Sequence, residues 1–375
     1  MKKEEIIPVF KPSVSEKEIK AISQILKSGW WGLGPKTKEF EEKFAEYIGV
    51  KYAIGVNSCT AALNLAINVL EIKEREIITT PISFVSTSHA ILYNNCKPVF
   101  VDVEEDTLNI DISQIKKSIT NKTKAIIPVH YGGHACEMGE LEKIVKEKNL
   151  FLIEDCAHAT GGKYKEKMLG SIGDIGCFSF HAVKNLATGD GGMITTNNKE
   201  IYEKLKRLRW MGITKDTFQR NEKKYDWMYD VLDLGFKCHM NDITATLGLC
   251  QLERIEETNN KRRKYAEKYI EELSNIKKIS LPGEKNYATS SWHNFVIKVE
   301  NGQRDELQNY LKGRRISTGV HYRPITHFTY YKENQLSVPL PISDSVWKKL
   351  LTLPLYPDLG EKNSDKIINC IKKFF

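Results

Sequence analysis

Short apolar runs recur along the first two hundred positions, at 52–56, 76–79, 98–102, 125–129, 150–154, 177–180 and 192–195. Each run is continuous rather than alternating, which predicts strands buried on both faces. Between them lie stretches whose apolar residues return every three or four positions, at 60–70, 84–94, 111–118 and 138–148. Those periods predict helices. Strands alternating with helices argue a mostly parallel sheet with helices on both faces. Two helices precede this block. In 15–28, Ser15 is a plausible cap and Ile19, Ile22, Ile25 and Leu26 share a face. The run Trp30-Trp-Gly-Leu-Gly-Pro35 breaks it, and 37–47 follows with Phe40, Phe44 and Tyr47 inward.

The pattern changes near position 241. Long helices are predicted at 242–255 and 259–273, then a strand at 292–299 and a helix at 304–312. A His/Tyr/Pro-rich loop at 320–331 and a final helix at 361–374 complete the chain. This predicts an α/β protein with a large domain, 1–245, and a smaller C-terminal α/β domain, 246–375. A length of 375 residues is more than one core usually holds, in keeping with that division.

Composition narrows the partners. The chain is 41% hydrophobic and 28% charged, as soluble globular proteins are. Its net charge of +8 comes from lysines spread over the whole length, which reads as a solvated surface, with a basic mouth that attracts a phosphorylated substrate as a local exception. No basic run interleaved with aromatics suggests a nucleic-acid module. No apolar run reaches membrane-spanning length, and no hydrophobic leader follows Met1. The eight cysteines lie far apart without a CxxC pair, so neither a metal motif nor a secreted disulfide framework is expected. They fit a reducing cytoplasm.

The most informative stretch is Phe178-Ser-Phe-His-Ala-Val-Lys184-Asn-Leu-Ala-Thr-Gly-Asp-Gly-Gly192. It sets one lysine between an aromatic strand and a glycine-rich turn. Such a lysine can form an imine with an aldehyde cofactor, while the glycines let backbone approach closely. Upstream, Asp155 ends an apolar strand, where ligands sit in open α/β sheets. A buried Asp for a pyridinium nitrogen and a Lys for an aldehyde are the two groups that pyridoxal 5'-phosphate (PLP) chemistry needs. Lysine before glycine is common on surfaces, so the two count only together.

Asn57-Ser58-Cys59-Thr60 follows a strand and opens a helix, an anion site that also reads as an ordinary cap. Ser179 lies five residues before Lys184, within reach of the same phosphate. Phe84 could stack on a ring or pack in the core. His158, three residues after Asp155, could lie near the cofactor or be structural. A nucleotide-binding protein without PLP is disfavoured, since no GxGxxG turn follows the first strand.

At Lys184 the chain resembles the DegT/DnrJ/EryC1/StrS family of PLP-dependent sugar aminotransferases. The likeness runs nearly end to end. It includes Gly32-Leu-Gly-Pro-Lys-Thr-Lys-Glu-Phe-Glu41, Asn57 to Leu63, Pro98 to Asp102, Glu154 to His158, Phe178 to Gly192, Gly319-Val-His-Tyr322 and Leu353 to Asp358. The resemblance implies the aminotransferase fold of type I. It implies a Schiff-base lysine at Lys184 and cofactor contacts at Asp155, His158, Ser179, Thr60 and Phe84, with Ser58 and Cys59 in the phosphate loop. It implies glutamate as amino donor, a keto sugar as acceptor and a homodimer sharing each site. Two departures stand out. Cys59 takes a place where the family commonly has Gly. Gly235-Phe-Lys237-Cys238 takes the place of an Asn-Tyr-Arg run that reaches the neighbouring subunit's phosphate, which passes that contact to Lys237 or removes it. The Phe178–Asn185 run and Gly235-Phe-Lys237 are closest to the transaminase of a nucleotide-linked 4-ketopentose. Trp31, His321, Tyr322 and His327 are candidates for the sugar pocket or for packing, and Arg323 is a cation available to a diphosphate. The alternatives are transamination of a small phosphorylated ketone or cyclitol, a sugar 3-dehydratase, and a PLP-binding sensor. Dehydratase relatives carry His in place of Lys184, and no added domain supports a sensor.

Overall fold

The computed structural model describes residues 5–215 and 227–375, so the charged start of the chain, 1–4, lies outside the described residues. A seven-stranded sheet forms the centre. Its strands are β1 (Tyr52–Val56), β2 (Glu76–Thr79), β3 (Lys97–Phe100), β4 (Thr123–Ile127), β5 (Phe151–Asp155), β8 (Ile175–Ser179) and β9 (Gly192–Thr196). They lie in the order β1-β9-β8-β5-β4-β2-β3. All run parallel except β9, which pairs antiparallel with both β8 and β1. The short pairs β6 (Lys163–Tyr164) and β7 (Lys167–Met168) form a small separate sheet with β11 (Ala288–Thr289).

Adjacent residues of each run enter different cores, because successive side chains of a strand point to opposite faces. Ala53, Ile78, Ile126, Leu152, Phe178 and Met193 join one core. Their neighbours Ile54, Ile77, Ile127, Ile153, Cys177 and Ile194 join the other. Helices cover both faces, so no strand position can be polar without a specific reason. That burial is why the runs read as continuous.

The helices preceding the sheet are α1 (Glu16–Ser28) and α2 (Pro35–Ile48). A capping box of Ser15 and Glu18 starts α1. The expected isoleucine face of α1 is only partly realised. Ile25 is buried, but Ile19 and Leu26 are exposed. Glu18 is buried instead and accepts a hydrogen bond from Gln251 Nε2 at 2.9 Å, with Arg254 Nε at 3.0 Å. A paired carboxylate thus ties α1 inward where an apolar stripe was expected, and periodicity does not report polar anchors.

Between the strands lie α3 (Cys59–Val69), α4 (Ser86–Tyr93), α5 (Ile112–Ser118), α6 (Met138–Lys148) and α7 (Lys199–Leu208). The chain then passes through α8 (Asp242–Glu253), which packs on α1 and α2, into the long α9 (Ile255–Leu273). Asp242 caps α2 from a distance, accepting from Thr37 N at 2.9 Å and Thr37 Oγ1 at 2.7 Å. A third sheet, β10-β12-β13 (Ile279–Ser280, Phe295–Val299, Leu350–Leu353), is antiparallel. With the end of α9, α10 (Arg304–Gly313) and α13 (Glu361–Phe374), it encloses a third core around Tyr269, Phe295 and Leu353. The short helices α11 (Thr329–Glu333) and α12 (Pro341–Val346) lie between. The expected His/Tyr/Pro loop therefore carries a helical turn. The helix α7 and the strand β13 fall outside the elements read from the pattern, and β6, β7, β10 and β11 are too short to leave a period.

Candidate active site

A cavity of about 370 Å³ opens over the carboxyl ends of the parallel strands. Its wall takes Ser58, Cys59 and Thr60 from the start of α3, Phe84, Ser86 and Thr87 from the β2–α4 turn, Asp155 and His158 from the end of β5, and Ser179 from β8. Lys184 and Gly191 come from the β8–β9 loop, and His321 and Tyr322 from the C-terminal part.

Lys184 sits in a turn closed by its own N–H, which donates to His181 O at 2.8 Å. Gly189 in the same loop has φ +91°, a conformation that other residues adopt only under strain. The residue is part exposed through the cavity mouth, but its amine is enclosed. Loss of hydration brings its pKa down to about 8, against the opposing influence of Cys59 and Asp155. A much larger fraction of this amine is neutral near pH 8 than of an ordinary lysine.

Asp155 is buried at the end of β5. Thr87 Oγ1 donates to its Oδ2 at 2.7 Å, and Ala157 N donates to its Oδ1 at 3.1 Å. Burial pushes its carboxyl pKa up, while those two donors pull the other way. A cationic ring nitrogen is the partner such a carboxyl lacks, which is one sign that the cavity fits PLP.

The start of α3 forms another part of the wall. Ser58 Oγ caps it, accepting from Ala61 N at 3.1 Å. Cys59 and Thr60, as the first two residues of the helix, have no carbonyl behind their N–H groups. Thr60 Oγ1 and Ser86 Oγ lie 2.8 Å apart beside them. Gly192 presses on this turn from β9. A Cβ there would lie 2.7 Å from Ser58 C and 2.8 Å from Cys59 N. The cap and anion-site readings of Ser58 to Thr60 are therefore compatible. Cys59 is buried with its thiol pushed well up by burial, so it packs as a neutral group.

His158 is buried, and its pKa is pushed well below the usual value by burial and then by Lys184. Its Nδ1 accepts from Gly132 N at 3.3 Å, so the proton lies on Nε2, which is 3.1 Å from Tyr322 Oη. His321 pairs through Nδ1 with Thr352 Oγ1 at 2.8 Å, and burial brings its pKa to about 4.

Four sequence candidates stand away from this cavity in the single chain. Trp31 is exposed and donates through Nε1 to Leu26 O at 3.1 Å. His327 pairs with Asp344 at 2.6 Å and meets Trp347 edge-on. Lys237 lies over the Trp210 ring, 3.3 Å from its centroid. Arg323 lies between Phe328 and Trp347. Conversely, Thr87 escaped the sequence reading, though the polar Ser86-Thr-Ser88 in an otherwise apolar helix was a signal.

Residues 12–372 match the model of the DegT/DnrJ/EryC1/StrS aminotransferase family. The chain belongs to that family. Its members are PLP enzymes, and PLP is this chain's cofactor. Among curated relatives, the spore coat polysaccharide biosynthesis protein SpsC of Bacillus subtilis is 37% identical over 99% of this chain and 97% of its own. Among solved structures, Helicobacter pylori PseC, an aminotransferase involved in the biosynthesis of pseudoaminic acid, superposes with a TM-score of 0.93 at 29% identity, covering 99% of both chains. Spr1654 of Streptococcus pneumoniae in its PLP form gives 0.91 at 31% identity over 98% of both. The aminotransferase fold of type I follows for this chain. Among the described residues no helix is long and apolar enough to cross a membrane.

Proposed function

We propose that this aminotransferase moves an amino group from glutamate to a nucleotide-linked keto sugar, with a lean to a 4-ketone, and so makes an amino sugar for a surface polysaccharide or glycoconjugate. The observation that carries the reading is that Lys184 and Asp155 line one cavity together with the start of a helix. The roles of SpsC and PseC favour the sugar acceptor. The Phe178–Asn185 and Gly235–Lys237 runs favour the 4-ketone. Cys59, Thr60, Ser58 and Ser179 would hold the cofactor phosphate, Asp155 the ring nitrogen, and Phe84 and His158 the ring. PLP, when bound, supplies an aldehyde for the lysine and an electron sink for the donor's α-carbon.

The chain's own groups do the rest. Lys184 Nζ, depressed to about 8, would take the proton from the donor Cα and deliver it to the carbon that was the cofactor's aldehyde. Thr87 and Ala157 hold Asp155 in place, so its charge needs no reorganisation during reaction. His321 and Tyr322 border the space left for the sugar. Trp31 and His327 would border it only once a second subunit or a loop movement brings them in.

The division into domains 1–245 and 246–375 and a homodimer with shared sites belong to the same reading. Trp227, Val231 and Leu232 are exposed in the single chain, and Leu234 is 93% exposed. Apolar groups this exposed, beside Lys237, suit contact with a second copy. Seven of eight free thiols are buried, consistent with a reducing cytoplasm.

The decisive experiment is borohydride treatment of the purified protein, then peptide mapping. The cofactor should be fixed on Lys184 and the visible band discharged. A reduced adduct elsewhere would overturn the assignment. Glutamate should then convert the cofactor in a half-reaction, and a panel of nucleotide-linked and free keto sugars should reverse it. Equal rates with free and nucleotide-linked sugars would remove the nucleotide from the proposal and leave the aminotransferase.

A further inference from the structure

One buried group at the site has no part in the reading above. His293 lies just before β12, only 2% exposed. Its ring stacks on Phe10, with centroids 5.4 Å apart and planes at 8°. It also meets His158, with centroids 4.6 Å apart. A ring held between two others has little freedom to rotate.

Its proton can be placed from the surrounding bonds. Asn185 Nδ2 donates to Ser291 O at 2.7 Å and to Asn259 Oδ1 at 2.8 Å. The nitrogen of that amide is therefore spent, and its Oδ1 is what faces His293 Nδ1 at 3.2 Å. Asn259 is oriented in turn, since its Nδ2 donates to Thr160 O at 3.0 Å. An amide oxygen only accepts, so His293 carries its proton on Nδ1 and presents a lone pair at Nε2. That lone pair lies 3.5 Å from Lys184 Nζ. Asn185 is the residue next to Lys184, so the backbone that carries the lysine also sets the tautomer of the ring facing it.

We propose that His293 is a positioning residue for Lys184: its Nε2 lone pair, locked by Asn185 and Asn259, holds the lysine amine in place whenever that amine is free. This rests on the aminotransferase reading of Lys184. The groups facing Nζ are Cys59 from α3, Asp155 from β5, His158 and His321 besides His293. Burial keeps the three imidazoles neutral and the thiol protonated, leaving Asp155 as the charge. A neutral acceptor suits an amine that must alternate between two protonation states. It steadies the ammonium by one hydrogen bond, yet does not pin the proton as a contacting carboxylate would.

The test compares His293→Phe, which keeps an aromatic ring but has no acceptor, with His293→Gln, which keeps one. The first readout uses the full chain stripped of cofactor. Acetylation of Lys184 by acetic anhydride is followed by peptide mass spectrometry across pH. Loss of the acceptor disfavours the ammonium, so the midpoint should fall by about one pH unit in His293→Phe and stay near wild type in His293→Gln. The second is the glutamate half-reaction after reloading PLP. It should fall by about 100-fold in His293→Phe and by less than about tenfold in His293→Gln. If His293→Phe does not fold, His293→Met, which also lacks a comparable acceptor, takes its place. An unmoved midpoint in the acceptor-free variant overturns the proposal, as does an equal loss in both variants. Borohydride fixation on wild-type Lys184 is independent of these results, so failure of the aminotransferase reading would be seen separately.

Discussion

Asp155 shows how one residue's environment becomes chemistry. A carboxyl buried this deeply resists ionisation, and two donors, with the charge of Lys184 beyond them, offset that in part. Asp155→Asn should fold and keep some PLP but lose most of the half-reaction rate, because an amide cannot hold a ring nitrogen protonated. Near-normal single-turnover kinetics in that variant would contradict the electrostatic role. Thr87→Val removes one of the two donors without changing side-chain size. A roughly tenfold slower half-reaction is expected, about 1.4 kcal/mol at the barrier. Stopped-flow measurement with glutamate checks it, with the melting temperature as control.

Among the elements, the join between β9 and the start of α3 is closely packed. Gly192 leaves no room for a methyl group against Ser58 and Cys59, and the atoms it would strike are backbone. Gly192→Ala must therefore move the helix start. It should cost about 1–3 kcal/mol of stability, as overpacking does. PLP affinity should drop more than the rate of the bound enzyme, since the displaced N–H groups are those proposed for the phosphate. Equilibrium dialysis of PLP beside thermal unfolding separates the two effects. The start of α2 shows the same dependence on distant parts, since its cap is Asp242, more than two hundred residues away. Asp242→Ala should lower stability by about 2 kcal/mol, read from denaturant midpoints.

At the level of the whole molecule, the single chain leaves an apolar stretch in water near Lys237, and four candidate site residues lie off the cavity. Assembly of two copies would account for both. Sedimentation should show a dimer, and a fully active monomer would refute the shared site. Lys237→Ala should raise the PLP dissociation constant while leaving the melting temperature nearly unchanged, since the cation–π contact with Trp210 is partly exposed and worth about 0.5–1 kcal/mol.

The strands of the large sheet were legible along the chain because burial on both faces forces every position to be apolar. The helix at Glu361–Phe374 was legible because one face meets the C-terminal core and its period survives. Lys184 and Asp155 were legible because their motifs are local, a strand end and a glycine turn. What the sequence could not determine depends on residues far apart in it. The antiparallel placement of β9 inside a parallel sheet, the burial of Glu18 in a helix face read as apolar, and the distant cap of Asp242 are all set by neighbours that periodicity does not contain. His293 lies 109 residues from Lys184, and Thr87 lies 68 from Asp155. Only the folded chain brings each pair together. The tautomer of His293 follows from hydrogen-bond partners that exist only once Asn185, Asn259 and Ser291 are packed side by side. Residue type and local spacing carry the identity of the proposed reacting groups, whereas their protonation and aim are decided by burial and by partners that tertiary structure supplies.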